Sequence, residues 1–341
     1  MGVGIARGIA LGPGGIGDEQ RYASNRRFVA ETGCTWVRLW AEWPKLQADP
    51  RRAPNFSELD AEIAAARADG LKVMLTSWRY PRWANGTAAL TPQRDAAFEL
   101  ADRVKPGGDP ARRKDLTFRV PGELGEDSAY GRWLAALGER DVDAIEVVNE
   151  PNHQLWPQRA VHAAVARMMA TARAVLDGTR ITVVGPATAD RRGGGPLGTD
   201  HLQFARALID ELELIGFRAD ERTAWSHHNY GDVESDGAER IAAAAALVAE
   251  RLPGRPIWVT ETGARLTTIA RDERLRDDVV VRRRQAELVA RGYERLRAQA
   301  GVDMVLQYLF ITDMNYDSGL CELDGRPRPA YYAWAQLPAV R

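Results

Sequence analysis

Apolar runs of strand length recur eight times along this chain, with helical segments between them. Strands that alternate with helices are typical of βα units, whose strands pair in parallel. Eight such units predict a closed (β/α)8 barrel, the TIM barrel fold, and a doubly wound open sheet is the alternative. The runs cover residues 4–11, 35–40, 72–77, 144–149, 180–185, 223–228, 257–260 and 304–309.

Several of the intervening helices have clear ends in the sequence. One alanine-rich helix begins at Ser57 and stops at Gly70, and two later helices stop at Gly178 and Gly301. Glycine just beyond the last turn is common because it adopts the left-handed backbone that ends a helix. The helical segments are therefore separate elements that each return the chain to the next strand.

The length of the chain favours one domain. Barrels of this kind run to about 250 residues before insertions, and the chain has 341 residues. Two long segments, 86–127 and the glycine-rich 191–196, follow the third and fifth predicted strands. Long loops usually carry functional walls or mobile parts. We therefore predict a single barrel domain over residues 1–341 with long βα loops.

The charge balance argues against several kinds of partner. Lysine and arginine total 46 against 47 acidic residues, a net charge of −1 with no long run of either sign. Nucleic acid and anionic membranes are therefore not expected partners. No apolar stretch approaches the ~20 residues that span a bilayer. The first residues lack the pattern of a signal peptide, which favours the cytoplasm, while secretion stays possible if a leader was removed.

A glutamate directly follows two of the predicted strands. Glu150 follows strand four and Glu261 follows strand seven. In a parallel barrel both carboxylates would emerge at the rim from which catalytic residues come. Cleavage of a glycosidic bond needs two carboxylates, one to protonate the leaving oxygen and one to attack the sugar or activate water. A lone strand-end glutamate is usually just solvated, but Asn149 and Pro151 beside Glu150 favour a catalytic pair.

These residues resemble a known group of enzymes. The Asn-Glu-Pro-Asn segment after strand four, together with Glu261 after strand seven, resembles the signature of the clan A retaining glycoside hydrolases, a (β/α)8 superfamily. Other segments extend the likeness, and it is strongest to family 39, with a family 5-like relative next nearest. These segments are 37–38 (Val-Arg), 81–84 (Pro-Arg-Trp-Ala), 184–187 (Val-Gly-Pro-Ala) and 226–230 (Ser-His-His-Asn-Tyr).

The resemblance implies roles in a double displacement on a β-D or equivalent α-L glycoside, without metal or organic cofactor. Glu150 would be the general acid/base and would start protonated. Glu261 would be the nucleophile that forms a glycosyl-enzyme intermediate. Asn149 would bind the 2-hydroxyl of the sugar, and Arg38 would keep Glu261 ionised. Tyr230 would hydrogen-bond the nucleophile.

The resemblance also implies residues that would bind a carbohydrate substrate. Trp83 would form an aromatic platform, and His228 would line the same subsite. Many clan members have a tryptophan at the end of strand eight, where this chain offers Tyr308 or Phe310. Tryptophans also lie at or beyond predicted strand ends, and as a set they favour a sugar site, although each could fill a core. They are Trp40, Trp43, Trp78, Trp83, Trp156 and Trp225.

Other classes of function leave weaker signals. The segment 12–17 fits the G-x-G-x-x-G pattern of dinucleotide-binding enzymes, but Pro13 removes a backbone donor from the loop that would hold the pyrophosphate. A catalytic metal is not expected, since the adjacent His227 and His228 would point to opposite faces of a strand. The other histidines show no metal-ligand spacing such as H-E-x-x-H. A barrel that binds carbohydrate without cutting it is the remaining alternative, although such proteins usually lose one of the two acids.

Overall fold

The computed structural model of the protein describes residues 6–10, 28–88, 116–155, 161–193, 198–275, 277–312 and 316–338. Within these ranges eight strands form a closed barrel in which each strand neighbours the next in the chain. The predicted (β/α)8 barrel is thus confirmed, and the open-sheet alternative is wrong. The strands are β1 (Ala6–Ala10), β2 (Trp36–Glu42), β3 (Lys72–Trp78), β4 (Ala144–Glu146), β5 (Thr182–Thr188), β6 (Thr223–His228), β7 (Ile257–Thr262) and β8 (Val302–Tyr308).

Helices follow the strands, and several short ones lie directly after strand ends. No helix in the described ranges is long and apolar enough to cross a membrane. The helices are α1 (Trp43–Leu46), α2 (Ser57–Ala68), α3 (Ala129–Gly138), α4 (Pro151–Gln154), α5 (Val161–Val175), α6 (His201–Leu214), α7 (Tyr230–Glu234), α8 (Glu239–Arg251), α9 (Leu266–Ala270), α10 (Val279–Ala298) and α11 (Pro329–Ala335), with 3-10 turns at Leu116–Phe118 and Glu273–Leu275.

Closure of the barrel depends on β1, which pairs in parallel with both β2 and β8. Gly8 lies opposite Trp36 on one side and Leu306 on the other. A Cβ at this position would lie 2.4 Å from the Trp36 carbonyl oxygen and 2.5 Å from a Leu306 methyl group. These distances are far below van der Waals contact, so the strand can pass between its neighbours only with glycine here.

Helix ends lie where the glycines predict them. Gly70, Gly178 and Gly301 all have left-handed φ values, of 74°, 72° and 87°. At the other end of a helix, the Asp278 side chain accepts a hydrogen bond from the Val280 amide and caps α10. These caps satisfy backbone groups that the helix itself leaves without partners.

The strands differ from prediction mainly at their ends. The strand β4 ends at Glu146, before the predicted end at 149. Beyond it, the Val147 amide still donates to the Val184 carbonyl at 2.9 Å, while the Val147 carbonyl accepts from the Tyr130 hydroxyl at 3.1 Å. Segments 12–17, 89–115 and 194–197, and Trp156, lie outside the described residues.

Two compact units can be distinguished by their internal contacts. The first consists of the described residues of Met1–Trp40, Glu58–Met74 and Ala224–Arg341. The second consists of those of Ala41–Ser57 and Leu75–Thr223. The extent of one catalytic domain over residues 1–341 stays a prediction.

An aromatic cluster forms the core of the second unit. Trp43, fully buried, stacks on Trp133 with ring centroids 5.2 Å apart, and Tyr130 lies 6.2 Å from the same ring. In the first unit Trp225 is also buried. For these two of the strand-end tryptophans, Trp43 and Trp225, the core interpretation is therefore correct.

In the first unit, α7 is tied to α10 by a carboxylate. Asp236, just after α7, accepts hydrogen bonds from Arg284 at 3.2 Å and from Arg295, and it lies 2.9 Å from Arg291. All three arginines belong to α10. Hydrogen bonding from Arg295, followed by the nearby arginine charges, lowers the pKa of Asp236 below its ordinary value. The network therefore fixes the end of the helix that begins with Tyr230.

We predict that Asp236→Asn lowers the free energy of unfolding at pH 7 by about 1 kcal/mol. Asn tolerates the left-handed backbone of this position, where φ is 59°, so the change removes charge rather than shape. Because the folded-state pKa is lowered, the contribution is present above the unfolded pKa of about 3.9 and is lost as the pH falls through the folded value. Urea denaturation at pH 7 and near pH 3 measures the difference.

The matched control is Asp177→Asn, at a carboxylate that is 79% exposed and lies 3.8 Å from Arg173. We expect a change below about 0.5 kcal/mol for this exposed carboxylate. An equal loss at both pH values in Asp236→Asn would contradict the electrostatic role of the network.

Candidate active site

Glu261 lies near the end of β7, whose residues are all buried. Only 5% of Glu261 is exposed. Its carbonyl accepts from the Asn229 amide at 2.9 Å, which ties the end of β7 to the end of β6. A carboxylate so far from water must be paired with charges or hydrogen-bond donors, since burying it alone is costly.

Arg38 supplies the opposite charge. It lies on β2, is fully buried, and its Nη1 donates to Glu261 Oε1 at 2.7 Å. Its guanidinium also lies over the Trp40 ring, 4.5 Å from the centroid. A guanidinium this close to a buried carboxylate offsets part of the cost of its burial. The arginine therefore fixes the position of the Glu261 carboxylate at this strand end.

Two residues contact the other oxygen of Glu261. The Tyr230 hydroxyl, on the first residue of α7, donates to Oε2 at 2.8 Å, and His228 Nδ1 lies 3.5 Å from the same atom. Burial, followed by the charge of Glu261, raises the pKa of Tyr230 well above its ordinary value. Tyr230 therefore stays a neutral donor. The structure thus brings Arg38, His228 and Tyr230 together around Glu261, while their roles in catalysis stay predictions.

A metal ion does not suit this part of the site. His228 and Glu261 are ligand types, but each oxygen of Glu261 already accepts a hydrogen bond, from Arg38 or from Tyr230. A cation bound there would also lie beside the guanidinium charge, which opposes it.

Three tyrosines form a cluster next to Glu261. Tyr308, at the end of β8, has its ring 6.4 Å from that of Tyr230, and Tyr316 lies 5.1 Å from Tyr230 and 5.2 Å from Tyr308. Of the two aromatic candidates after strand eight, Tyr308 thus lies beside the nucleophile candidate. Phe310 instead packs on Phe28 at 4.7 Å in the core. Tyr316 was not predicted from the sequence.

The loop that carries Tyr316 is held by many hydrogen bonds. Arg328 donates to the carbonyls of Asp317 and Gly319 at 3.0 Å each, and Gln307 donates to the Ser318 carbonyl at 3.1 Å. Such bonding to backbone carbonyls fixes the path of a loop. The backbone beside Tyr316 therefore has a defined position next to Tyr230 and Tyr308.

Arg265 lies beside the tyrosine cluster. It forms a two-pronged ion pair with Glu234, with N–O distances of 2.6 and 2.7 Å. The guanidinium lies 5.4 Å from the Tyr316 centroid. Since Glu234 ends α7, the pair fixes the helix that begins with Tyr230 and the ring that covers it.

Glu150 follows β4 in the second unit with an unusual backbone. Its φ of 42° and ψ of 53° are left-handed, a conformation that few residues other than glycine adopt. Hydrogen bonds hold it there: its amide donates to the Ala187 carbonyl at 3.0 Å, and its carbonyl accepts from the amides of His153 and Gln154. Pro151 opens α4 directly after it. The turn thus fixes the direction in which the side chain leaves the strand.

The side chain of Glu150 is half-buried, and Gln154 Nε2 donates to its Oε2 at 2.8 Å. Asn149, the residue before it, is buried with 4% exposure. Asn152 has a structural task, because its amide bonds to Ala189 through both its oxygen and its nitrogen, at 2.9 and 2.8 Å. Neither Gln154 nor Asn152 was predicted as part of the site.

Trp83 lies in the turn after β3. It is half-buried, its Nε1 donates to the Gln47 carbonyl at 3.3 Å, and its edge contacts Trp43 at 5.5 Å. Its role as a sugar platform stays a prediction. Trp78 has one face covered, since the Arg79 guanidinium lies 4.3 Å from its ring centroid.

The family model for cellulase, glycosyl hydrolase family 5, matches residues 8–282 of this chain. The chain belongs to this family, and it is therefore an enzyme, a clan A glycoside hydrolase. Family 5 is the family that the sequence segments placed next after family 39. A comparison with curated protein sequences yields no significant match.

Solved structures show the same fold. A family 39 glycoside hydrolase from Bacteroides cellulosilyticus has a TM-score of 0.63 at 18% identity, with 96% of this chain and 62% of that chain covered. A family 5, subfamily 18 protein from Bifidobacterium longum has 0.62 at 16%, covering 98% and 78%. Xylanase 10B from Thermotoga petrophila, in complex with xylobiose, has 0.61 at 14%, covering 97% and 93%. This chain thus spans about three fifths of the family 39 relative.

We predict that Arg38→Met lowers the free energy of unfolding by about 3 kcal/mol at pH 7, because it leaves the Glu261 charge buried beside an apolar side chain. The double variant Arg38→Met/Glu261→Gln should regain most of that loss, since the orphaned charge is gone. Urea denaturation of the wild type, both single variants and the double variant gives the coupling free energy. Strict additivity of the two single changes would show that the pair contributes no coupling.

Proposed function

We propose that the protein is a retaining glycoside hydrolase that cleaves a β-D or stereochemically equivalent α-L glycosidic bond by double displacement. Glu261 is the nucleophile and Glu150 the general acid/base. The observation that carries the proposal is the buried Glu261 carboxylate, with Arg38 on one oxygen and Tyr230 on the other. Membership of glycosyl hydrolase family 5 supports it.

In the first step Glu150 gives its proton to the glycosidic oxygen while Glu261 attacks the anomeric carbon. The bond from that carbon to the leaving oxygen breaks, and an ester bond to a Glu261 oxygen forms. Arg38 favours this step because its guanidinium, 2.7 Å from Glu261 Oε1, orients the attacking carboxylate in a buried setting. Tyr230, as a neutral donor, orients the carboxylate without removing its charge.

In the second step Glu150, now ionised, takes a proton from water as the water attacks the anomeric carbon. The ester bond breaks and Glu261 returns to its ionised form. Two inversions at one carbon give net retention of configuration. The half-buried position of Glu150 suits a group that must exchange protons with both leaving group and water.

The substrate is a carbohydrate. The rings of Tyr230, Tyr308 and Tyr316 pack on one another, and the partly exposed Tyr316 offers aromatic surface of the kind that packs well on the apolar faces of sugars. The xylanase from Thermotoga petrophila, which shares the fold, is in complex with xylobiose. We propose that Asn149, His228 and Trp83 complete the contacts with the sugar.

We predict that Glu261→Ala abolishes hydrolysis of every glycoside that the wild type accepts, with a loss of about 10⁴-fold or more in kcat. The measurement is hydrolysis of a panel of aryl β-D and α-L glycosides, including xyloside, glucoside, galactoside, arabinoside, fucoside and uronides. Added azide can take the place of the missing nucleophile, and the glycosyl azide formed should then have inverted configuration, because only one displacement occurs.

Glu150→Ala should behave differently on the same panel. Substrates with good leaving groups need little protonation, so their first step should survive, while the second step slows by about 10²- to 10⁴-fold. Azide attacks the glycosyl-enzyme without a base and should give a product of retained configuration. The control is Glu294→Ala on α10, an exposed glutamate that should leave all rates unchanged.

Two results would contradict the proposal. Full activity of Glu261→Ala would remove the nucleophile assignment. The other result is that the wild type hydrolyses neither the panel nor β-linked oligosaccharides but binds oligosaccharides, as measured by calorimetry. The protein would then be a carbohydrate-binding barrel without catalysis.

A further inference from the structure

Gln154 is a buried polar side chain one helical turn beyond Glu150. It ends α4 and is only 8% exposed. Its backbone amide donates to the Glu150 carbonyl at 2.7 Å, and its Nε2 donates to Glu150 Oε2 at 2.8 Å. The same residue thus contacts both the main chain and the carboxyl group of the proposed acid/base.

The orientation of the Gln154 amide is set from its other end. Its Oε1 accepts a hydrogen bond from the Trp78 indole Nε1 at 3.2 Å. An indole N–H can only donate. The oxygen of Gln154 must therefore point toward Trp78, and the amide NH₂ must point toward Glu150. A flipped amide would place two donors together at Trp78 and oxygen against oxygen at Glu150.

Trp78 is in turn held in place by a cation. The Arg79 guanidinium lies over its ring at 4.3 Å and over the Phe118 ring at 5.0 Å. Arg79 Nη1 lies 3.5 Å from Glu42, a buried carboxylate that also pairs with Lys45. These contacts fix the indole ring, so the N–H that orients Gln154 has a defined direction.

We propose that Gln154 is a positioning residue that selects which oxygen of Glu150 carries the catalytic proton. Its N–H engages Oε2, so the proton resides on Oε1, and Trp78 maintains this choice by preventing the amide from flipping. The inference rests on the proposed function of Glu150 as the general acid/base. After the proton has left, the same N–H holds the carboxylate for its role as a base.

The expected consequence is a change in the titration of Glu150. A donor to the ionised form of a carboxyl favours that form. Removal of the donor in Gln154→Met should therefore raise the pKa of the Glu150 carboxyl. Carbon-13 NMR of protein labelled at the glutamate carboxyls measures it, with the Glu150 signal identified as the one absent from Glu150→Gln. An unchanged midpoint in Gln154→Met would overturn the proposal.

Activity gives a second, independent readout. With the proton no longer confined to one oxygen, transfer to a poor leaving group should slow more than release of a good one. We expect kcat/KM for an alkyl glycoside to fall about tenfold relative to a dinitrophenyl glycoside, and the alkaline limb of the pH profile to move to higher pH. If the role of Gln154 were merely structural, kcat/KM would fall equally for both substrates, and the alkaline limb of the pH profile would not move.

Trp78→Phe tests the upstream contact, since it keeps a ring beneath Arg79 but removes the N–H. It should shift the titration in the same direction by less, and it should add nothing in a Gln154→Met background. Because Trp78→Phe retains Gln154, it still tests the proposal if Gln154→Met does not fold. Gln203→Met, at an exposed position of α6, is the control and should behave as the wild type.

The readouts separate the two proposals. A raised Glu150 midpoint in Gln154→Met with no hydrolysis by the wild type would support the Gln154 contact and refute the proposed function. Hydrolysis that depends on both glutamates, with an unchanged Glu150 midpoint and an unchanged leaving-group preference, would support the function and refute the role of Gln154.

Discussion

The first unit is organised around one buried charge. The cost of burying the Glu261 carboxylate is offset because Arg38 and Tyr230 each donate a hydrogen bond to one of its oxygens. Tyr230 can do so only if α7 is fixed, and α7 is fixed at its far end through Glu234 and through Asp236. The hydrogen bonding of one carboxylate thus depends on ion pairs in helices and loops that do not contact it.

Much of the fold could be predicted because it depends on patterns that repeat along the chain. The eight strands and the glycines that end the helices follow from periodicity and backbone preference, which are local properties. The placement of Arg38, His228 and Tyr230 beside Glu261 could be expected from the family resemblance. The catalytic roles of these residues stay proposals.

What could not be predicted depends on three-dimensional contacts that have no signature in the sequence. Gln154 meets Glu150 because the single helical turn of α4 directly follows the left-handed Glu150, and Tyr316 meets Tyr230 because a hydrogen-bonded loop places it beside α7. The residue type tryptophan also did not predict whether a side chain lies in a core or beside the candidate site. Trp43 fills a core while Trp78 orients a glutamine, although both follow or end barrel strands.

The left-handed backbone at Glu150 has a consequence for protein engineering. In a library randomised at this position, backbone strain would decide which variants form the turn, and side-chain chemistry would decide activity only among those. Glycine and asparagine are accommodated at a φ of 42°, whereas valine and isoleucine are not. Inactive clones carrying β-branched residues would therefore report a distorted turn, and only the residues that this turn accepts can reveal which side-chain chemistry the position needs.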